Sequence, residues 1–274
     1  MSIIDIIQNG IFFSDGNMDS MPLWILAIIV SMVVPYLLGS LNFAIIISAK
    51  QYKEDIRSYG SKNAGMTNMM RTYGKRAAAL TLLGDALKSI VSCVIGYLML
   101  GYLGCYIAGL FCVMGHMFPV FYRFKGGKGV VTGAMAILMS DPITFAIILP
   151  IFIIVVAFTK YISLGSVMSV LLYPIILDRV YKWLGHEVCP YTIFAILIMI
   201  LVVAKHYENI KRLFQGKENK FSFKKSADAA KAHKAEIEAQ KKAEQNESES
   251  NETEAIAKTT KKVKANKNYG KKKK

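Results

Sequence analysis

The sequence predicts an all-α, polytopic integral membrane protein with seven transmembrane helices, its N-terminus outside and its C-terminus inside. Three observations predict it. The chain of 274 residues is 53% hydrophobic yet carries a formal charge of +15, so apolar and basic residues must be segregated along it. Apolar runs recur at close to the length of about 20 residues that a helix needs to cross the hydrocarbon. Glycine-rich, basic islands interrupt those runs, and counting crossings from either end delivers all the islands to one side.

The start of the chain, Met1 to Ser20, lacks the basic opening of a signal peptide and carries Asp5, Asp15 and Asp19, so the first span is expected to remain as an anchor. Spans are expected at 22–49, 77–100, 104–122, 143–159, 163–178 and 190–205. The run Val130 to Ser140 is short, but the Asp141-Pro142 turn after it makes it a seventh crossing. The loops 50–76, 123–129, Lys160 and 205–216 then share one basic face, the cytoplasmic one, while the opposite face keeps Arg179 and Lys182 among acids. With six crossings the later islands would move outside and this asymmetry would weaken.

Two regions follow: a membrane domain at 1–216 and a Lys-rich cytoplasmic tail at 217–274. Half of the 34 Lys and Arg lie in the tail. It has almost no large apolar residue after Phe223, too little to offset its ordering entropy, and is expected to be disordered, with Ala227 to Gln245 partly helical. Lys271 to Lys274 would adhere to anionic lipid or RNA without specificity. Cys93, Cys105, Cys112 and Cys189 form no CxxC pair. Three lie in apolar segments as small hydrophobes, and Cys105 could meet Cys189 near one membrane face.

The islands carry the chemistry. In Gly60 to Arg71, the side chains of Ser61, Asn63, Thr67, Asn68 and Arg71 are donors suited to phosphate, and Arg71 can grip it through two parallel N–H groups. Lys62, Lys75 and Arg76 read as topology charges. The Gly126, Gly127, Lys128, Gly129 turn stands directly before an apolar helix, an arrangement whose amides can nest an anion, although a flexible turn carries the same residues. It is not a Walker A loop, because Tyr122 replaces the first glycine and Gly129 the Ser or Thr. Ser163 and Ser166 open a helix, where a hydroxyl either caps the backbone or binds an anion. His206 and Asn209 share a face at the inner end of the last span. Asp85 and Lys88 lie inside the second span at a spacing that permits an ion pair. His116, His186 and His206 lack the spacing of a metal site, and no metal or cofactor is expected.

Taken together and in order, Gly39-Ser40, Asp55-Ile56-Arg57, the Gly60 to Arg71 run, Asp85 to Lys88, Gly115-His116 through Phe121, the Lys125 to Gly129 turn, Ser163 to Ser166 and His206 through Leu213 resemble the PlsY-type acyl-phosphate:glycerol-3-phosphate acyltransferases over residues 22–220. The resemblance implies a bacterial, monomeric seven-helix enzyme of the cell membrane. Such an enzyme moves a fatty acyl chain from acyl phosphate to glycerol 3-phosphate and gives lysophosphatidic acid. It implies that Ser61, Arg71, Lys128, Ser166, His206 and Asn209 line the phosphate site. Asn68, Gly126, Gly127, Gly129 and Ser163 complete the expected set. Lys128 and the glycine amides would stabilise charge on the departing phosphate, Arg71 would hold a substrate phosphate, and His206 would take the glycerol proton unless the substrate's own phosphate does so.

The departures are Asn42, Met66 and Tyr207, where the family commonly has proline, alanine and arginine, and the tail, which short members lack. Phe121 also stands where an HxxxxD signature starting at His116 would need its acid, so acyl-CoA is not the expected donor. A transporter of a phosphorylated anion is the reading from another class. The gathering of every island on one face opposes it, since alternating access favours a midplane site.

Overall fold

The computed structural model describes residues 5, 8–11, 21–187, 189–222, 226–239 and 242, and no strand occurs among them. The helices are α1 (Met21–Ser40), α2 (Phe43–Ile47), α3 (Met66–Tyr73), α4 (Lys75–Met117), α5 (Val130–Ser140), α6 (Pro142–Thr159), α7 (Ile162–Trp183), α8 (Thr192–Lys205) and α9 (Tyr207–Phe214). Four described segments are long and apolar enough to cross a membrane, or five if α8 and α9, bent by 59°, count as one span. Ile25, Leu26, Ile153 and Ile154 are each more than half exposed on α1 and α6, an outer surface that suits lipid better than water.

The span expected at 22–49 is broken. Helix α1 stops at Ser40, and α2 restarts with Asn42 as its N-cap, the Ile45 amide donating to Asn42 Oδ1 at 3.1 Å. Such a break leaves carbonyls without helical partners. Lys88 of α4 supplies them: its Nζ donates to the Gly39 and Leu41 carbonyls at 3.0 and 2.9 Å. Asp85 Oδ1, 2.8 Å from the same Nζ, balances the charge. The expected Asp85–Lys88 pair is therefore formed, and the helix break explains why a lysine sits within a span.

At 43 residues α4 would be about 64 Å long, twice the hydrocarbon, if it were straight. It is two helices meeting at Leu100 and Gly101, whose dihedrals are not helical. Beyond that corner Gly96 and Gly104 face each other so closely that a Cβ on either would overlap the other's carbonyl. The chain thus turns back on itself there, as the expected spans 77–100 and 104–122 require, although the helix ends at Met117. The central core lies between the second half of α4 and α5 to α8, around Val113, Met117, Ile137, Tyr173 and Leu177. All four cysteines are buried and free, so the Cys105–Cys189 pairing does not form.

Past the boundary expected at 216, part of the tail is described. Residues 217–222 fold back over the membrane domain, the Phe221 amide donating to the Lys160 carbonyl at 2.7 Å. Residues 226–239 are helical and dock near α3, where the Glu54 carboxylate accepts from Tyr73 Oη at 2.7 Å and meets His233 Nε2 at 3.0 Å. This helix falls within the stretch expected to be partly helical, Ala227 to Gln245, as far as the described residues reach. Asp15, Asp19, Phe223 and Lys271 to Lys274, with the expected lipid or RNA adhesion, lie outside the described residues. A chain ending after Ser222 should keep acyltransferase activity within a few-fold, whereas one ending after Gly216 should lose it. Activity of both truncations per folded molecule in detergent checks the boundary.

Candidate active site

Helix α3 begins after Gly65 and carries Asn68 and Arg71 on one face, three residues apart. Asn68 is 1% exposed and its side chain is fully used: Oδ1 accepts from the Ser61 amide at 2.8 Å, while Nδ2 donates to the Tyr59 and Ile56 carbonyls at 3.0 and 3.3 Å. Asn68 therefore holds the loop that presents Ser61, and it also borders the cavity described below. Arg57, clamped by Asp55 at 2.7 Å, donates through Nη1 to the Tyr122 and Lys125 carbonyls at 3.0 Å. That contact ties the first island to the glycine turn.

The turn differs from the expected anion nest. The Gly126 amide donates to the Met117 carbonyl at 3.3 Å and the Gly127 amide to the His116 carbonyl at 3.1 Å, so both are spent on the end of α4. Gly127 is squeezed between the His116 ring and the Ala64 carbonyl, and a Cβ there would overlap both. Gly126 and Gly127 are thus packing residues, and neither lines the cavity. Gly129, with φ +74°, caps α5, and Gly129, Val130 and Val131 do line it. The first-turn amides of α5, which have no partner within their own helix, lie at the positive end of its dipole on this side of the cavity.

The islands meet at one cavity of about 500 Å³. Its mouth is polar: Ser61 and Arg71, Lys128, Ser163 and Ser166, His206 and Asn209 all border it. Lys128 Nζ donates to Asn209 Oδ1. Burial pushes the Lys128 ammonium down to about 8, opposed by the charge of Glu218. Ser166 Oγ donates to the Ile162 carbonyl at 2.9 Å, which leaves its lone pairs toward the cavity. His206 is 2% exposed, with Nδ1 2.8 Å from the Val202 carbonyl. A carbonyl cannot donate, so in the neutral ring Nδ1 carries the proton and Nε2 keeps the lone pair a base needs.

Sequence reasoning missed Glu218. Its carboxylate accepts from Asn209 Nδ2 at 2.6 Å, Arg212 Nε at 2.8 Å and Ser163 Oγ at 2.9 Å, joining α7, α9 and the returning chain. Burial works against its charge, but the hydrogen bonds from Asn209, Arg212 and Ser163 outweigh burial and hold it below the usual carboxylate range. Ser163 thus spends its proton on Glu218 while still bordering the cavity. Glu218 was assigned to a solvated tail because the charge run after it set the boundary. The signal that could have found it is a single acid placed shortly after the cationic face of Asn209 and Arg212. Arg57 and Arg212 were likewise quoted only as parts of longer strings.

Below the mouth the lining is mostly apolar, from α5, α6, α7 and α8, with Leu82, Asp85 and His116 of α4 also bordering the cavity. A site with cationic and hydroxyl donors at one end and a greasy interior at the other suits an amphiphile with an anionic head. Among the described residues no group of His, Cys, Asp and Glu could hold a metal ion.

A family model described as glycerol-3-phosphate acyltransferase matches residues 29–216. A protein of that name from Finegoldia magna is 42% identical over 198 residues, 71% of this chain and 96% of its own length. One from Clostridioides difficile is 40% identical over 207 residues, 73% of this chain and 98% of its own. The crystal structure of PlsY (YgiH), an integral membrane glycerol 3-phosphate acyltransferase in its glycerol 3-phosphate form, is 31% identical with a TM-score of 0.65, covering 71% of this chain and 96% of that one. Its lysophosphatidic acid form gives 29% and 0.62, covering 74% and 98%.

Proposed function

The chain belongs to the glycerol-3-phosphate acyltransferase family, and we propose that it transfers a fatty acyl group from acyl phosphate to glycerol 3-phosphate. It is an acyltransferase of glycerol 3-phosphate that makes lysophosphatidic acid. The acyl phosphate donor rests on one observation above others: a single cavity joins a cationic mouth to an apolar interior, so one ligand can place its phosphate and its chain at once. An acyl phosphate is a mixed anhydride with a good leaving group, and positioning with charge stabilisation can carry much of its barrier.

In this reading Arg71 holds the phosphate of glycerol 3-phosphate while Lys128 and the first amides of α5 face the donor's phosphate. A glycerol hydroxyl oxygen attacks the acyl carbonyl carbon, and His206 Nε2 accepts its proton. The carbonyl carbon to phosphate oxygen bond then breaks, and inorganic phosphate departs with the electron pair beside Lys128. His206→Gln is expected to lower kcat about 10²-fold. Near-normal turnover at saturating substrate would instead give the proton to a substrate phosphate. Phosphate release matching lysophosphatidic acid formation one to one tests the reaction as a whole.

The fold supports seven crossings: α1 with α2, two from α4, the short α5, α6, α7, and α8 with α9. The basic loops support a cytoplasmic mouth in the cell membrane, with the N-terminus outside. Glycerol 3-phosphate would arrive from the cytoplasm and the acyl chain between helices from the bilayer, and one copy of the chain carries every residue named.

A further inference from the structure

The apolar part of the cavity runs along α6. Along α6, Phe145, Ile148, Leu149, Phe152 and Val156 face the space at spacings of three and four residues, one stripe of a helix. Val156 stands level with the mouth, packed over Gly165 between Ser163 and Ser166. Phe145 lies about three helical turns further in, at about 16 Å by the rise of about 1.5 Å per residue. No residue of α6 before Phe145 lines the cavity. Ile137, Ile148, Val170 and Ile198, one from each of the four walls, are buried in the central core, and Phe145 packs against them. An extended saturated chain advances about 1.25 Å per carbon at tetrahedral single bonds, so this depth holds about 13 carbons.

We propose that Phe145 is the residue that sets acyl-chain length, its ring being the stop against which the terminal methyl of the donor rests. The proposal rests on the acyl phosphate reading above and adds to it a specificity-determining residue. The phosphate is held at the mouth, so the chain cannot slide outward to make room. Each methylene that fits above the ring and leaves water for the wall raises kcat/KM about fourfold. A methylene beyond the stop gains nothing, because it has to bend back or leave between helices. The gain is uniform binding, felt in KM more than in kcat.

The test is kcat/KM along a series of saturated acyl phosphates from decanoyl to octadecanoyl, measured with the purified full chain. Wild type should climb with length and then level off. Phe145→Ala should move the plateau to chains longer by about two carbons at about 1.25 Å each. Ala134→Phe, which faces the cavity one turn below the mouth on α5, should move it to shorter chains. The second variant guards against a fold defect, since lost stability lowers every length alike and leaves the profile unmoved. Profiles that keep the wild-type plateau in both variants overturn the stop while leaving the acyl phosphate reading intact. A wild type that acylates glycerol 3-phosphate with none of the series overturns that reading, and the stop with it.

Discussion

Lys128→Met should lower kcat for glycerol 3-phosphate acylation about 10²- to 10³-fold, the loss seen when one preorganised donor to a developing anion is removed. The argument is electrostatic. Lys128 is the cation that the glycine turn carries into the cavity, and its Nζ is steered by Asn209 Oδ1. Phosphate leaving an acyl carbonyl gains charge in the transition state, so a fixed ammonium there counts more during reaction than during binding. Methionine keeps length and removes the charge, which separates the charge from the packing. The same residue predicts a pH dependence. Burial holds its ammonium at about 8, so it is charged below that pH and neutral above. Wild-type kcat/KM, which reports the free enzyme, should therefore fall as pH rises through about 8. Lys128→Met should lack that limb, and a retained limb would assign the titration to another group.

Glu218→Ala should damage stability and activity together. Its carboxylate is 6% exposed and ties Ser163, Asn209 and Arg212 to the returning chain. Removing it leaves the Arg212 charge and two polar groups without their acceptor. The cost is about 3 kcal/mol, the lower end for a buried pair because Arg212 is one-third exposed. Asn209 would also lose its orientation, and Lys128 with it, so activity per folded molecule should fall together with thermal stability in detergent. The sign with pH follows from the depressed carboxyl. The stabilisation is fully present above the unfolded value of about 4.3 and is lost as pH falls through the folded one. The stability gap between wild type and Glu218→Ala should thus be wide at neutral pH and close in acid. A constant gap would mean that packing, not the ion pair, holds the segment.

Much of the fold was legible because membrane spans announce themselves through apolar length. The corner at Leu100 and Gly101, the short α5 and the α6–α7 pair all fell where apolar runs and turn residues put them. The break after Ser40 was not legible, since Gly39-Ser40-Leu41-Asn42 is apolar enough to pass as continuous helix. Only the Asn42 cap and the reach of Lys88 from another element decide it. Within the site, the residue types named Ser61, Arg71, Lys128, His206 and Asn209, and one cavity gathers them. Asn68, Gly126 and Gly127 show what residue type alone leaves out. Their polar groups suit phosphate equally well, but which backbone groups they already serve is a tertiary fact. Glu218 was hidden by averaging its charge into a long basic tail, where composition describes the segment and not the one side chain that turns inward.

The most direct test is to supply the purified chain with glycerol 3-phosphate and either palmitoyl phosphate or palmitoyl-CoA, and to measure lysophosphatidic acid. Product from palmitoyl phosphate, little or none from palmitoyl-CoA, and loss of product in Lys128→Met is the predicted result. Equal turnover of palmitoyl-CoA, or no product from either donor with the protein folded, would contradict acyl transfer from an acyl phosphate at this cavity.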